Sequence, residues 1–266
     1  MKRILTAAVL IPAVIGLILW GHAYLLAGVS VVIAELGLWE FFRLAETSGS
    51  RVARTHGYAF AAAIVLAGIA RSSSSVCVLG AVVFLLMLAM TWTMLSGREL
   101  AGYLREVSST LLGIVYVAVP LSLLVWVCLR PGGRALALFA LVLVWTGDTA
   151  AFFVGSNWGK NKLAPRISPG KTWEGTLASF GSAIGVGMLY VRFFSSGIGY
   201  GEAALLSAAV NVAAQVGDLA ESALKRGAGV KDSSNLVPGH GGVLDRIDAL
   251  LFAAPVLWYY CWWKVG

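Results

Sequence analysis

The chain has 266 residues, of which 59% are hydrophobic and only 12% charged, with ten tryptophans and a net charge of +7. Soluble domains carry about twice that charge fraction, and several apolar runs here reach the ~17–25 residues that a helix needs to cross a bilayer core, which excludes a water-soluble globular domain. The surplus of Lys and Arg reads as topology marking on membrane loops, and no nucleic-acid partner is expected.

The apolar runs are continuous rather than alternating, which excludes a barrel. Backbone groups in lipid must be satisfied within the segment, so the expected fold is an all-α integral membrane protein. In chain order the segments are 4–20, 23–42, 57–70, 76–95, 108–129, 135–154, 173–191, 203–220 and 248–263, about nine crossings. The first follows Met1-Lys2-Arg3 like the core of a signal peptide, but it is longer and reads as an uncleaved helix bent at Pro12. The third, at 14 residues, is short for a crossing. Nine crossings place fifteen of the twenty Lys and Arg on the side that holds the N-terminus. That side is then cytoplasmic, and the C-terminus lies outside. A single polytopic domain is expected over 1–266, with 1–134 as scaffold and dimerisation helices and 135–266 carrying the catalytic helices and loops. Cys77, Cys128 and Cys261 lie in apolar runs without metal-ligand spacing and read as packing residues.

All five aspartates, Asp148, Asp218, Asp232, Asp245 and Asp248, fall in the second half, and the topology puts each at or near the cytoplasmic face. A carboxylate in a membrane helix is costly and points to function. Asp218, Glu221, Ser222 and Lys225 share one helical face, and Asp245 and Asp248 share another. Carboxylates converging in one cleft repel unless a cation joins them. Oxygen donors without Cys or His favour Mg²⁺ over zinc. A local reading stays open: Asp245 and Asp248 as helix caps and an ion pair with Arg246, and Asp218 paired with Lys225.

Residues 227–242 contain Gly227, Gly229, Pro238, Gly239, Gly241 and Gly242, with Lys225, Arg226 and Lys231 beside them. Glycines let backbone N–H groups approach an anion, and the cations suit a triphosphate, although a plain membrane-surface loop has the same composition. His240 is either an acid/base or the holder of a backbone turn. A second basic stretch, Lys160 to Gly175, contains Gly170-Lys171-Thr172, but Pro165 stands where a Walker motif needs glycine and no strand is expected before it. It reads as a Ser168-Pro169 turn entering the seventh helix, whose start favours anions, with Lys171 placed for a phosphate and Trp173 as a possible interfacial anchor.

These residues resemble the phosphatidate cytidylyltransferase (CDP-diacylglycerol synthase) family. The string Ser222–Asp248 follows that family's long motif, S-x-L-K-R, K-D, P-G-H-G-G and D-R-I-D, with Val237 where Ile is usual. Ser168–Gly175 resembles its second motif, with Gly170 where a lysine is common. The resemblance implies an enzyme of the bacterial inner membrane, with its active site facing the cytoplasm, that joins CTP to phosphatidic acid and releases pyrophosphate. It also implies Mg²⁺, a monovalent cation such as K⁺, and a homodimer. It points to Asp218 and Asp245 as metal ligands, with Asp148, Asp248 and Lys225 as further catalytic residues. Substrate phosphates would fall to Ser168, Lys171, Thr172, Arg226, Lys231, His240, Gly241, Gly242 and Arg246.

The lipid phosphate is already anionic, so the chemical difficulty is joining two highly charged groups, and positioning with charge neutralisation should dominate. The competing readings are a CTP-dependent lipid kinase, an ion-coupled transporter and a non-catalytic scaffold.

Overall fold

The computed structural model describes residues 2–69, 83–84, 87–88, 90–91, 94–95, 100–194, 197–237, 239 and 241–265. The long helices are α1 (Lys2–Trp20), α2 (Ala23–Thr47), α3 (Arg54–Ala67), α4 (Tyr103–Cys128), α5 (Gly133–Trp158), α6 (Trp173–Phe194), α7 (Tyr200–Gly227) and α8 (Leu244–Val265). A π-helical turn over Ile114–Ala118 interrupts α4. Five of them, α2, α4, α5, α6 and α7, are long and apolar enough to cross a membrane. The expected segment 76–95 lies largely outside the described residues, as does Cys77, whereas Cys128 and Cys261 are free and buried.

One departure from helix matters for the site. The stretch expected as a Ser-Pro turn forms a hairpin of β1 (Lys162–Ala164) and β2 (Ser168–Thr172), with Lys162 opposite Thr172 and Ala164 opposite Ser168. The turn falls one step earlier, where the Ile167 N–H donates to the Ala164 carbonyl. Proline is tolerated at 169 because a two-stranded hairpin has only edge strands. Asn161 anchors the base of the hairpin: its amide groups donate to the Glu174 carboxylate and its carbonyl accepts from the Trp173 N–H.

The chain divides into two compact units: 1–126 with 227–246, and 127–226 with 247–266. In the first, α2 packs on α3 and α4 around Phe41 and Phe42. Gly57 and Gly113 make room for these rings, since a Cβ would stand 2.5 Å from Phe42 and 2.7 Å from Phe41 respectively. Arg54 forks onto Glu46 through two bonds of 2.6 and 2.9 Å, tying the start of α3 to the end of α2.

In the second unit α5 and α6 approach closely because their facing residues are small, the usual solution where lipid supplies no hydrophobic drive between helices. A Cβ on Gly175 would lie 2.8 Å from the Ala151 carbonyl oxygen and 3.3 Å from the Cα of Gly155. Polar glue joins α6 to α7: Asn211 donates to Ser179 Oγ at 2.9 Å, and within α7 Gln215 donates to Asn211 Oδ1 at 2.6 Å. Gly175→Ala is expected to destabilise by about 1–3 kcal/mol, because the obstruction is backbone and cannot swing aside. A lower thermal midpoint in detergent checks this, and an unchanged midpoint contradicts the packing described.

Candidate active site

The second unit joins two motifs that are far apart in sequence. Lys171, near the end of β2, places Nζ 2.6 Å from Asp218 Oδ2 on α7. Both side chains are partly open, at 24% and 37% exposure, so the pair adds little stability and matters chiefly for geometry. Ser222, one turn on, donates to Asp218 Oδ1 over a long 3.4 Å. Lys225 pairs with the fully buried Glu221 on the same face, so the local Asp218–Lys225 pairing is replaced by Lys171–Asp218 and Glu221–Lys225.

Gly217 brings α8 against α7, since a Cβ there would stand 2.6 Å from the Asp248 carbonyl oxygen. The Asp248 carboxyl is thereby close enough to Asp218 and Asp148 to feel both charges, with Lys225 as a countercharge. Asp148, Asp218, Lys225 and Asp248 thus form one electrostatic cluster. Among the described residues no three His, Cys, Asp or Glu side chains converge tightly enough to ligate an ion as they stand. The cluster does offer hard oxygen donors and surplus negative charge, the donor chemistry that suits Mg²⁺.

The hairpin places the remaining residues of the second motif. Thr172 is buried, accepts the Gly175 N–H at 3.2 Å and so caps α6. Ser168 lies at the turn end of β2, and Arg226 donates from its Nε to the Ile167 carbonyl at 3.2 Å, tying the end of α7 to the hairpin turn.

The first unit holds the glycine-rich loop. Asp245, in the first turn of α8, accepts at Oδ2 from the Ser233 N–H (3.1 Å), Ser233 Oγ (2.8 Å) and the Gly242 N–H (2.7 Å). Gly241 has φ +79°, and a Cβ on it would stand 2.8 Å from Asp245 Oδ2, so glycine is required there on both counts. The glycines expected to cradle phosphate therefore also close the loop onto Asp245. Val237 and Gly241 bridge its neck through a 2.8 Å bond. His240 lies outside the described residues, and Arg246 is exposed. Lys231 and Asp232 line a polar cleft of about 360 Å³ with Arg43 and Thr47 from the end of α2. Asp218 and Asp245 belong to different units.

Two contributors were missed in the sequence: Arg43 on the cleft wall and Glu40, which is completely buried in α2 and accepts two bonds from loop hydroxyls and two from N–H groups at the start of α8. The signal for Glu40 was available, namely an acid inside an apolar run.

The model of the cytidylyltransferase family matches residues 1–263, both units included. The chain belongs to this family. It is 38% identical over 272 residues to a phosphatidate cytidylyltransferase of Pseudomonas aeruginosa, an alignment covering 98% of this chain and 96% of that protein. It is 43% identical over 135 residues to the enzyme of that name from Haemophilus influenzae, covering 48% of this chain and 46% of that one. With the Bacillus subtilis enzyme of that name it shares 42% over 127 residues, 48% of this chain and 47% of the other.

For a cytidylyltransferase the arrangement is chemically apt. Lys171 has a charged partner that holds it in place, so it can meet an incoming phosphate without first being ordered. Lys171→Ala is expected to raise the substrate concentration for half-maximal rate by about tenfold, the loss of one charge-assisted bond. Steady-state titrations of nucleotide and lipid check this, and unchanged constants for both remove Lys171 from the site.

Proposed function

We propose that this membrane protein transfers the cytidylyl group of CTP to phosphatidic acid, giving CDP-diacylglycerol and pyrophosphate. The observation that carries the reading is the Lys171–Asp218 pair, which joins the second basic motif to the acidic face of α7, within a family match spanning nearly the whole chain. The lipid phosphate acts as nucleophile on the α-phosphorus of CTP. A P–O bond forms there, the bond to the β-phosphate oxygen breaks, and pyrophosphate leaves.

The protein's own residues supply position and charge. Lys171, Lys225, Arg226, Lys231 and Arg246 neutralise substrate phosphates, with Ser168, Thr172, His240, Gly241 and Gly242 around them. Asp148 and Asp218 both act on Asp248, with Lys225 as countercharge. Mg²⁺ would be held by Asp218 and Asp245 and would offset the charge of CTP and of departing pyrophosphate, with K⁺ as the expected second ion. About nine crossings, with the N-terminus inside and the C-terminus outside the bacterial inner membrane, keep the site on the cytoplasmic face, where a lipid headgroup can enter while its tails stay in the bilayer. The working form is a homodimer.

The test incubates purified protein with phosphatidic acid, Mg²⁺ and CTP labelled at either the α- or the γ-phosphorus. Cytidylyl transfer puts α-label in the lipid product and γ-label in pyrophosphate. γ-Label in the lipid would identify a CTP-dependent kinase, and solute flux without CTP consumption a transporter.

A further inference from the structure

Glu40 lies two turns before the end of α2, and its side chain is 0% exposed. Oε1 accepts from Ser234 Oγ at 2.5 Å and from the Val243 N–H at 2.9 Å. Oε2 accepts from Ser233 Oγ at 3.0 Å and from the Leu244 N–H at 2.6 Å. The two hydroxyls belong to the glycine-rich loop. The two N–H groups stand at the start of α8, where a helix has no backbone acceptor of its own. Ser234 Oγ in turn accepts from the Leu236 N–H at 3.1 Å, and Ser233 gives Asp245 its N–H and shares its one hydroxyl proton between Asp245 and Glu40. Gly242 has no side chain where one would collide: a Cβ there would lie 1.9 Å from Ser233 Oγ and 2.5 Å from Glu40 Oε1.

From this we infer that Glu40 is a positioning residue for cytidylyl transfer, a carboxylate supplied by the N-terminal half that clamps the loop and the first turn of α8 so that Asp245 and Lys231 are presented in a fixed geometry. The inference rests on the reading that this loop forms part of the active site. Simple attachment of the loop to α2 would not call for a carboxylate, since a buried charge is often replaced by apolar packing without loss of stability. What a carboxylate provides is four acceptor positions at once. An amide cannot replace it: whichever way a glutamine is turned, its NH₂ faces either the Val243 or the Leu244 N–H, leaving a buried donor unsatisfied.

The test compares wild type with Glu40→Gln and Ser234→Ala in two assays: CDP-diacylglycerol formation per folded molecule, and amide hydrogen exchange across residues 233–244. Glu40→Gln is expected to lower kcat per folded molecule by about tenfold or more and to speed exchange in that segment by a similar factor, with exchange in α5 and α6 unchanged. A residue needed only for folding would lower the yield of folded protein and leave kcat per folded molecule at the wild-type value. That result, or unchanged exchange in the loop, overturns the inference. If Glu40→Gln gives no folded protein, Ser234→Ala decides, with faster loop exchange and lower kcat expected, and wild-type values for both overturning it. The exchange assay needs no substrate, so an error in the assigned reaction would show in wild type as absent product while the clamp is judged separately.

Discussion

Asp218→Asn is expected to lower turnover by about two to three orders of magnitude, the scale of losing a main charge-stabilising group. The amide keeps the size of the side chain and an oxygen for Ser222, so the helix face survives, but it loses the charge that meets Lys171 at 2.6 Å. Because the pair is partly open to solvent, stability should change little. Two explanations of the lost activity then separate in a double-mutant cycle. If Asp218 serves only to aim Lys171, adding Asp218→Asn to Lys171→Ala costs nothing further. If Asp218 handles the cation itself, most of the loss persists in the Lys171→Ala background. Steady-state rates on detergent-purified protein check both. Near-normal activity of Asp218→Asn across a magnesium titration would remove Asp218 from the reaction.

The second large effect is expected at Asp245, where Asn and Ala should behave differently. Oδ2 takes three donors from Ser233 and Gly242. Asparagine can keep its oxygen in that position, so the loop should stay closed while the charge is lost. Alanine leaves the Ser233 and Gly242 N–H groups without this acceptor and opens the loop as well, at about 1–3 kcal/mol for each buried donor left unsatisfied. Both variants should lose at least about a hundredfold in turnover. Only Asp245→Ala should show a clear fall in thermal midpoint and faster proteolysis between 227 and 243. Equal stability of the two variants would contradict the loop geometry. Normal turnover of Asp245→Asn would confine Asp245 to a structural cap.

Much of the helical framework was legible in the sequence because lipid allows the backbone few solutions. The expected segments 23–42, 135–154 and 173–191 fall inside α2, α5 and α6. The observed helices run longer wherever they leave the apolar layer: α7 extends from Tyr200 to Gly227 against an expected 203–220, because Glu221, Ser222 and Lys225 continue its polar face. The hairpin was not legible, since Ser168-Pro169-Gly170 looks like a turn and strand pairing with Lys162 is not a local property. The acids of the signature could be picked out one by one, but their partners could not. Nothing in the spacing pairs Asp218 with Lys171 rather than Lys225. Gly241 and Gly242 carried two meanings, anion approach and room for a carboxylate, and only the fold reveals the second. The role of Glu40 is not a local property either, because its four partners lie some two hundred residues downstream.

We propose that the carboxylates of Asp218 and Asp245 are both needed for a divalent cation to bind. Equilibrium binding of Mn²⁺ to wild type, Asp218→Asn and Asp245→Asn in the presence of CTP, read by electron paramagnetic resonance, tests it most directly. One site is expected in wild type, and each substitution alone should remove it or weaken it severely. Wild-type Mn²⁺ affinity in either variant, or the loss of a different site by each, would contradict it.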